Sequence, residues 1–182
     1  VAEEDRAWHA GQSSWLGEPD VNSRSIGIEI VNGGHDFGLP DFPSLQVHAV
    51  VDLVRDIITR RKLPPKAVVG HSDIAPGRKL DPGEKFPWRV LAAAGVSIWP
   101  RGNASPSAVA LAAGATGESV AALQQSLATI GYAVEPSGAY DEATRVALSA
   151  FQRRFRPERV DGVADAETSA LVQQVALDYY MS

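Results

Sequence analysis

The sequence predicts a mixed α/β domain, a sheet flanked by helices, followed by a small all-α domain of three helices. Three observations carry this. SIGIEIVN (25–32) alternates strictly, with Ile26, Ile28 and Ile30 on one side and Gly27, Glu29 and Val31 on the other, the period-two pattern of a strand. Residues 44–62 set Val47, Val50, Val51, Val54, Ile57 and Ile58 at helical spacing, opposite Arg55, Asp56, Arg60 and Arg61, as an amphipathic helix requires. Finally, RGNASPSAVALAAGATG (101–117) is small and almost uncharged, and everything after it reads as helix.

Taken in order, the strand at 25–32 has one wholly apolar face. The helix that follows is closed by the prolines of KLPP. AVVG (67–70) is a short apolar run that predicts a second, buried strand delivering His71 at its C-terminal end. PWRVLAAAG adds a further turn of helix. The boundaries that result are a first domain over 1–100, a linker over 101–116 and a helical domain over 117–182.

In the helical domain, SVAALQQSLATIGY places Val120, Leu123, Leu127 and Ile130 on one face, with Gly131 as the terminator. Two segments then repeat: SGAYDEATRVAL (137–148) and DGVADAETSALV (161–172) share G-x-x-D-x-x-T. Asp141 and Asp165 suit helix N-caps, each with an acidic residue in the first turn. Gly138 and Gly162 suit the tight turn before each cap. About 60 residues is near the lower limit for a domain that folds alone.

Composition removes several function classes. A net charge of −5 with no basic stripe argues against nucleic acid, which needs clustered Lys and Arg. With no cysteine, disulfides and thiolate ligands are excluded, so any metal must use His and carboxylates. No run approaches the ~18 apolar residues of a membrane span. The opening VAEEDRAWHAG is acidic, lacks an apolar core and does not begin with Met; it reads as a processed or cut end rather than a signal peptide.

Chemistry concentrates in GHSDIAPGRKLDPG (70–83). His71 and Asp81 are proper zinc ligands in kind, provided Ala75-Pro76-Gly77 folds the carboxylate back beside the imidazole. The plainer reading has Asp73 capping a turn while His71 bonds backbone. Glu29, on the open face of the first strand, is either a solvated residue or a general base for an attacking water, and Gly27 would leave that face open to a ligand. His9 is a loop histidine, a substrate contact or a replacement metal ligand; His35 either lines the same cleft or belongs to a flexible loop; His48 is structural. Trp8 and Trp15 stack on a sugar or peptide, or fill the core.

DRAWHAG, SIGIEIVN and GHSDIAPGRKLDPG, in that order, closely resemble the zinc-dependent type 2 N-acetylmuramoyl-L-alanine amidases, which share the fold of the peptidoglycan recognition proteins. The helical part is similar to the three-helix peptidoglycan-binding domain often attached to them. The resemblance implies hydrolysis of the amide between N-acetylmuramic acid and L-alanine in peptidoglycan or muropeptides. It implies Zn²⁺ held by His71 and Asp81, Glu29 as the base activating the water, and Lys79 stabilising the oxyanion. Arg78 would contact a stem-peptide carboxylate, and Trp8 and His9 would border the substrate cleft. The family holds zinc with two histidines and an aspartate, the first histidine lying on a strand upstream of DRAWHAG. The expectation is therefore that the first strands and one ligand lie outside this chain, on a separate upstream segment, with a dead wall-binding remnant or replacement by His9 or His35 as alternatives. A wall-binding appendage points to a periplasmic or outer-membrane location, or to secretion. The competing reading is a non-catalytic peptidoglycan-binding or recognition protein.

Overall fold

The computed structural model describes residues 1–100 and 110–181. Ser14–Trp15 (β1) pairs antiparallel with Glu18–Pro19 (β2). The two residues between them, Leu16 and Gly17, both have positive φ (54° and 77°), the requirement of a tight hairpin turn that follows strand twist. Helix α1 spans Ser44–Arg61, α2 His71–Ile74 and α3 Trp88–Ala93. The helical unit comprises α4 (Glu118–Ile130), α5 (Glu142–Phe155) and α6 (Ala166–Met181).

Helix α1 buries Val47, Val50, Val51, Val54 and Ile57, the face its spacing predicts, against Phe86, Trp88, Leu91 and Val96. It ends at Arg61, with Lys62 left-handed (φ 54°) as its C-cap, before the prolines at 64 and 65 forbid continuation.

The two expected strands differ from the sequence reading. Residues 25–32 keep their alternation, Ile26, Ile28 and Ile30 half-buried and Gly27 and Glu29 exposed, and Ile28 and Ile30 pack on the α1 core. They join no sheet, however, and neither does the 67–70 run, which follows a 3-10 turn at Pro65–Ala67. A strand is defined by a neighbour that takes its backbone hydrogen bonds, and the only sheet among the described residues is β1–β2.

The second core is built by Val120, Leu127, Ile130, Leu148, Phe151 and Val172, all fully buried. Its repeat has a structural reader. Gln124 on α4 accepts from the Gly138 amide (2.9 Å) and donates to the Ala139 carbonyl (2.9 Å) and Thr144 Oγ1 (2.8 Å). Gln152 on α5 accepts from the Gly162 amide (2.7 Å) and donates to the Val163 carbonyl (3.0 Å). Each buried carboxamide pins the glycine turn that launches the next helix. Asp141 and Asp165 then accept from the Thr144 and Thr168 amides, both at 2.9 Å, and Gly138 and Gly162 carry the positive φ (74° and 68°) the turns need.

Residues 110–116 belong with this unit: Leu111 exchanges backbone bonds with Ala164, and the Ala115 carbonyl accepts from Tyr140. Residues 101–109 of the expected linker lie outside the described residues. Trp15 and Trp99 each pack on both the helical core and a core of the first unit, so the two units share an interface.

Candidate active site

Three backbone anchors build the site. Helix α2 starts at His71, and the Ser72 amide donates to the Asp81 carbonyl (2.9 Å), which folds the 75–80 loop back and brings Asp81 beside His71. The loop closes at the cis Asp81–Pro82 peptide. On the other side, the buried Asn22 carboxamide accepts from the amides of His9 (3.0 Å) and Ala10 (2.8 Å). That fixes the Ala10 carbonyl, which meets His71 Nε2 at 3.1 Å.

His71 Nδ1 stands 2.9 Å from Asp81 Oδ2. A carbonyl can only accept, so the contact with Ala10 assigns the ring N–H to Nε2. Nδ1 of the neutral ring then turns its lone pair toward a carboxylate. Two acceptors this close need a cation between them, either a proton on the ring or a metal ion. With the proton on Nδ1, the bond from His71, acting against partial burial, holds the Asp81 carboxyl below its ordinary value, with the Lys79 charge adding to the effect. An imidazole Nδ1 and an ionised carboxylate suit a borderline divalent metal such as zinc, and the Nε2–H···O=C bond is the outer support such ligands use. These residues thus fit two protein positions of a metal site. Among the described residues no group of three or more His, Asp or Glu converges as metal donors.

The plain reading of the loop is present too. Asp73 Oδ2 accepts from the Gly70 amide (2.8 Å), capping the turn, while His71 bonds backbone. Both coexist with the His71–Asp81 contact.

Other candidates fall into place unevenly. Arg78 donates to the carbonyls of Ala10 (2.5 Å) and Gln12 (2.7 and 3.0 Å), so its guanidinium ties the 10–12 loop to the 75–81 loop. His9 lies over Gly27: a Cβ there would stand 2.6 Å from His9 Cγ. The space expected to admit a ligand therefore holds the His9 ring, whose Nε2 bonds Ser25 Oγ (2.7 Å). Glu29 is exposed two residues further along the same alternating segment. Trp8 is 81% exposed, with Arg6 stacked at 4.1 Å, so it is available to a ligand and not used in a core. His35 pairs with Glu84 (2.9 Å), and His48 is exposed on α1.

Sequence reasoning missed the residues behind the loop. Asp73 is 1% exposed. Its Oδ1 accepts from the Tyr132 hydroxyl (2.7 Å) and its Oδ2 from Arg154 Nη1 (2.8 Å). Arg154 also donates to the Val68 carbonyl (2.9 Å) and Ser97 Oγ (3.2 Å) and lies over the Trp88 ring at 4.2 Å. Burial, then the charge of Asp73, pushes the Tyr132 phenol well above its usual range. Removing one partner of so buried an ion pair costs about 3–5 kcal/mol.

Comparison with known proteins identifies the family. Residues 1–84 match the N-acetylmuramoyl-L-alanine amidase family model and residues 116–172 a peptidoglycan binding domain model. The chain is 41% identical to N-acetylmuramoyl-L-alanine amidase AmiD of Escherichia coli over 98% of its own length and 66% of AmiD's. It is 38% identical to 1,6-anhydro-N-acetylmuramyl-L-alanine amidase AmpD of Haemophilus influenzae over 46% of its length and 44% of that protein's. It thus spans just under two thirds of AmiD and under half of AmpD. Among solved structures, E. coli AmiD in complex with anhydro-N-acetylmuramic acid-L-Ala-D-γ-Glu-L-Lys superposes with a TM-score of 0.82 at 37% identity, covering all of this chain and 72% of that one. AmpDh3 of Pseudomonas aeruginosa gives 0.80 at 37% identity, covering 99% and 72%. The mixed α/β unit with its appended helical unit is the amidase fold of AmiD, and the chain belongs to the N-acetylmuramoyl-L-alanine amidase family.

Proposed function

We propose that the protein hydrolyses the amide between the lactyl group of N-acetylmuramic acid and L-alanine of the stem peptide, in peptidoglycan or muropeptides released from it. The observation that carries the reading is the His71–Asp81 pair, an imidazole Nδ1 2.9 Å from a carboxylate oxygen, two donors of the kind zinc takes. Zinc is the metal proposed; when bound it lowers the pKa of water and polarises the scissile carbonyl. His71 and Asp81 supply two of its protein ligands.

The remaining roles belong to side chains. Glu29, solvent-facing, takes a proton from the attacking water and returns it to the departing L-alanine amine, which balances the hydrolysis. Lys79, close enough for its charge to act on Asp81, stabilises the negative charge that the carbonyl oxygen gains in the transition state. Trp8 offers an exposed aromatic face to a sugar or peptide. Residues 117–182 serve as the wall-binding unit and 1–100 as the catalytic unit. No helix among the described residues is long and apolar enough to cross a membrane, and the proposed place of work is the periplasm or the outer membrane, where the polymer is.

Glu29→Gln tests the assignment in the complete protein. Stem-peptide release should fall by at least about 10²-fold, the range of general-base contributions, while zinc content and muropeptide affinity persist. Loss of zinc instead makes Glu29 a ligand. Chelator-insensitive cleavage by the wild type overturns the zinc assignment, and no cleavage at all leaves the non-catalytic recognition reading in its place.

A further inference from the structure

We propose that Asp73 is a positioning residue: gripped by Tyr132 and Arg154 of the helical unit, it fixes the α2 turn on which His71 meets Asp81. The helical unit is then a structural part of the active site as well as a wall-binding appendage. The catalytic consequence rests on the amidase reading above; the mechanical one does not.

The argument is directional. Asp73 makes three hydrogen bonds, two from the helical unit and one from the amide of Gly70, the residue that precedes His71. Two residues on, the Ser72 amide holds the Asp81 carbonyl. Tyr132 and Arg154 therefore act on a carboxylate that bonds the start of the ligand turn, and the turn bonds the ligand loop. Simple adhesion between the units needs no such device, because Trp15 and Trp99 already pack on both sides. An ion pair with side chains 2% and 1% exposed is a poor choice for adhesion, since apolar residues of similar volume stabilise as well or better. What it adds is orientation, because a carboxylate accepts along fixed directions while apolar packing does not. Arg154 is itself oriented by the Val68 carbonyl, Ser97 Oγ and the Trp88 ring, so the grip reaches the segment leading into the turn as well as the turn itself.

The test is Tyr132→Phe, which deletes one hydroxyl and keeps the ring against Trp15 and Phe151; Arg154→Met is the stronger partner variant, used where it folds. Hydrogen exchange at the Gly70 and Ser72 amides is measured on this chain, with α1 and α6 amides as internal controls. kcat and KM are measured on the complete protein with a small soluble muropeptide, so that wall binding plays no part. The expected result is exchange about tenfold faster at residues 70 and 72 alone, with kcat about tenfold lower and KM unchanged. Native exchange at both amides in folded Tyr132→Phe overturns the proposal, as does faster exchange with wild-type kcat. A wild type inactive on the muropeptide sinks the amidase reading, while the exchange comparison still decides whether the helical unit holds the turn.

Discussion

Gly27→Ala should damage the site although residue 27 touches neither His71 nor Asp81. The new Cβ would lie 2.6 Å from His9 Cγ, 2.7 Å from Cδ2 and 2.8 Å from Cβ. Ordinary carbon contacts begin near 3.4 Å, so His9 must withdraw by about 0.8 Å. Because its Cβ is among the clashing atoms, a rotamer change is insufficient and the backbone has to move. That backbone is held by Asn22 through the amides of residues 9 and 10, and the Ala10 carbonyl faces His71 Nε2 at 3.1 Å. Passed along undiminished, the shift opens that contact to about 3.9 Å, beyond hydrogen-bond reach. Overpacking of this kind costs about 1–3 kcal/mol, or roughly 2–12 °C in Tm for a chain of this size. A His71 ring that loses this anchor is free to drift by a similar distance, which should lower kcat by about 10- to 100-fold. Thermal unfolding and muropeptide cleavage by the complete protein give both numbers. Adding His9→Gly removes every clashing atom, so the double variant should be more stable than the sum of the single effects. Wild-type Tm and kcat in Gly27→Ala, or strict additivity in the double variant, refutes the path from residue 27 to His71.

Two further expectations concern the helical unit. Gln152→Met keeps the volume but leaves the Gly162 amide and Val163 carbonyl without partners; at about 1–3 kcal/mol for each buried orphan, denaturant unfolding should report a loss of roughly 2–6 kcal/mol, against little for the exposed Gln125→Met, and equal effects refute the assigned role. Asp165 is held at about 2, where burial alone would raise it, because Arg156 and the Thr168 amide bond its charged form; folded below unfolded, its stabilisation is complete above its ordinary 3.8 and fades as pH falls toward 2. Discounted for partial exposure, that is about 1–2 kcal/mol, so wild type should lose that much more stability than Asp165→Asn between pH 5 and 2, and parallel curves would show that the network contributes nothing.

Local signals were legible and distant ones were not. The buried face of α1 and the caps of α5 and α6 follow from spacings of three or four residues, so one pass along the chain finds them. The His71–Asp81 pair was readable because a ten-residue loop rich in Gly and Pro has few ways to close. Strand pairing needs a partner chosen far away in sequence, and SIGIEIVN advertised a buried face without saying whether anything would bond its edge. Asp73 could be read as a turn cap, which it is, but its partners stand 59 and 81 residues away in what reads as another domain. The glutamines had a faint signal: each lies on the helix before a repeated glycine turn, but a Gln in a helix is ordinarily a solvated residue, and only burial distinguishes Gln124 from its neighbour Gln125. Arg78 had none, since nothing local announces that its guanidinium bonds the backbone carbonyls of residues 10 and 12.

The missed residues change how the two units relate. Read from composition, a small uncharged segment near residue 100 joins a catalytic unit to an independent wall anchor, and the anchor raises local concentration only through its tether. Read from contacts, residues 110–116 are already part of the helical unit, two tryptophans serve cores on both sides, and a buried carboxylate two residues from His71 depends on the far unit for two of its three hydrogen bonds. Truncating 117–182 is then not a clean removal of wall binding. It strips Asp73 of its countercharge and its phenol, and a carboxylate left there without partners has to draw in water or move toward it. Either response loosens the turn that carries His71. A loss of activity on soluble fragments after truncation would therefore say nothing against wall binding by the helices, and residue-level variants such as Tyr132→Phe are the ones that separate holding the wall from holding the site.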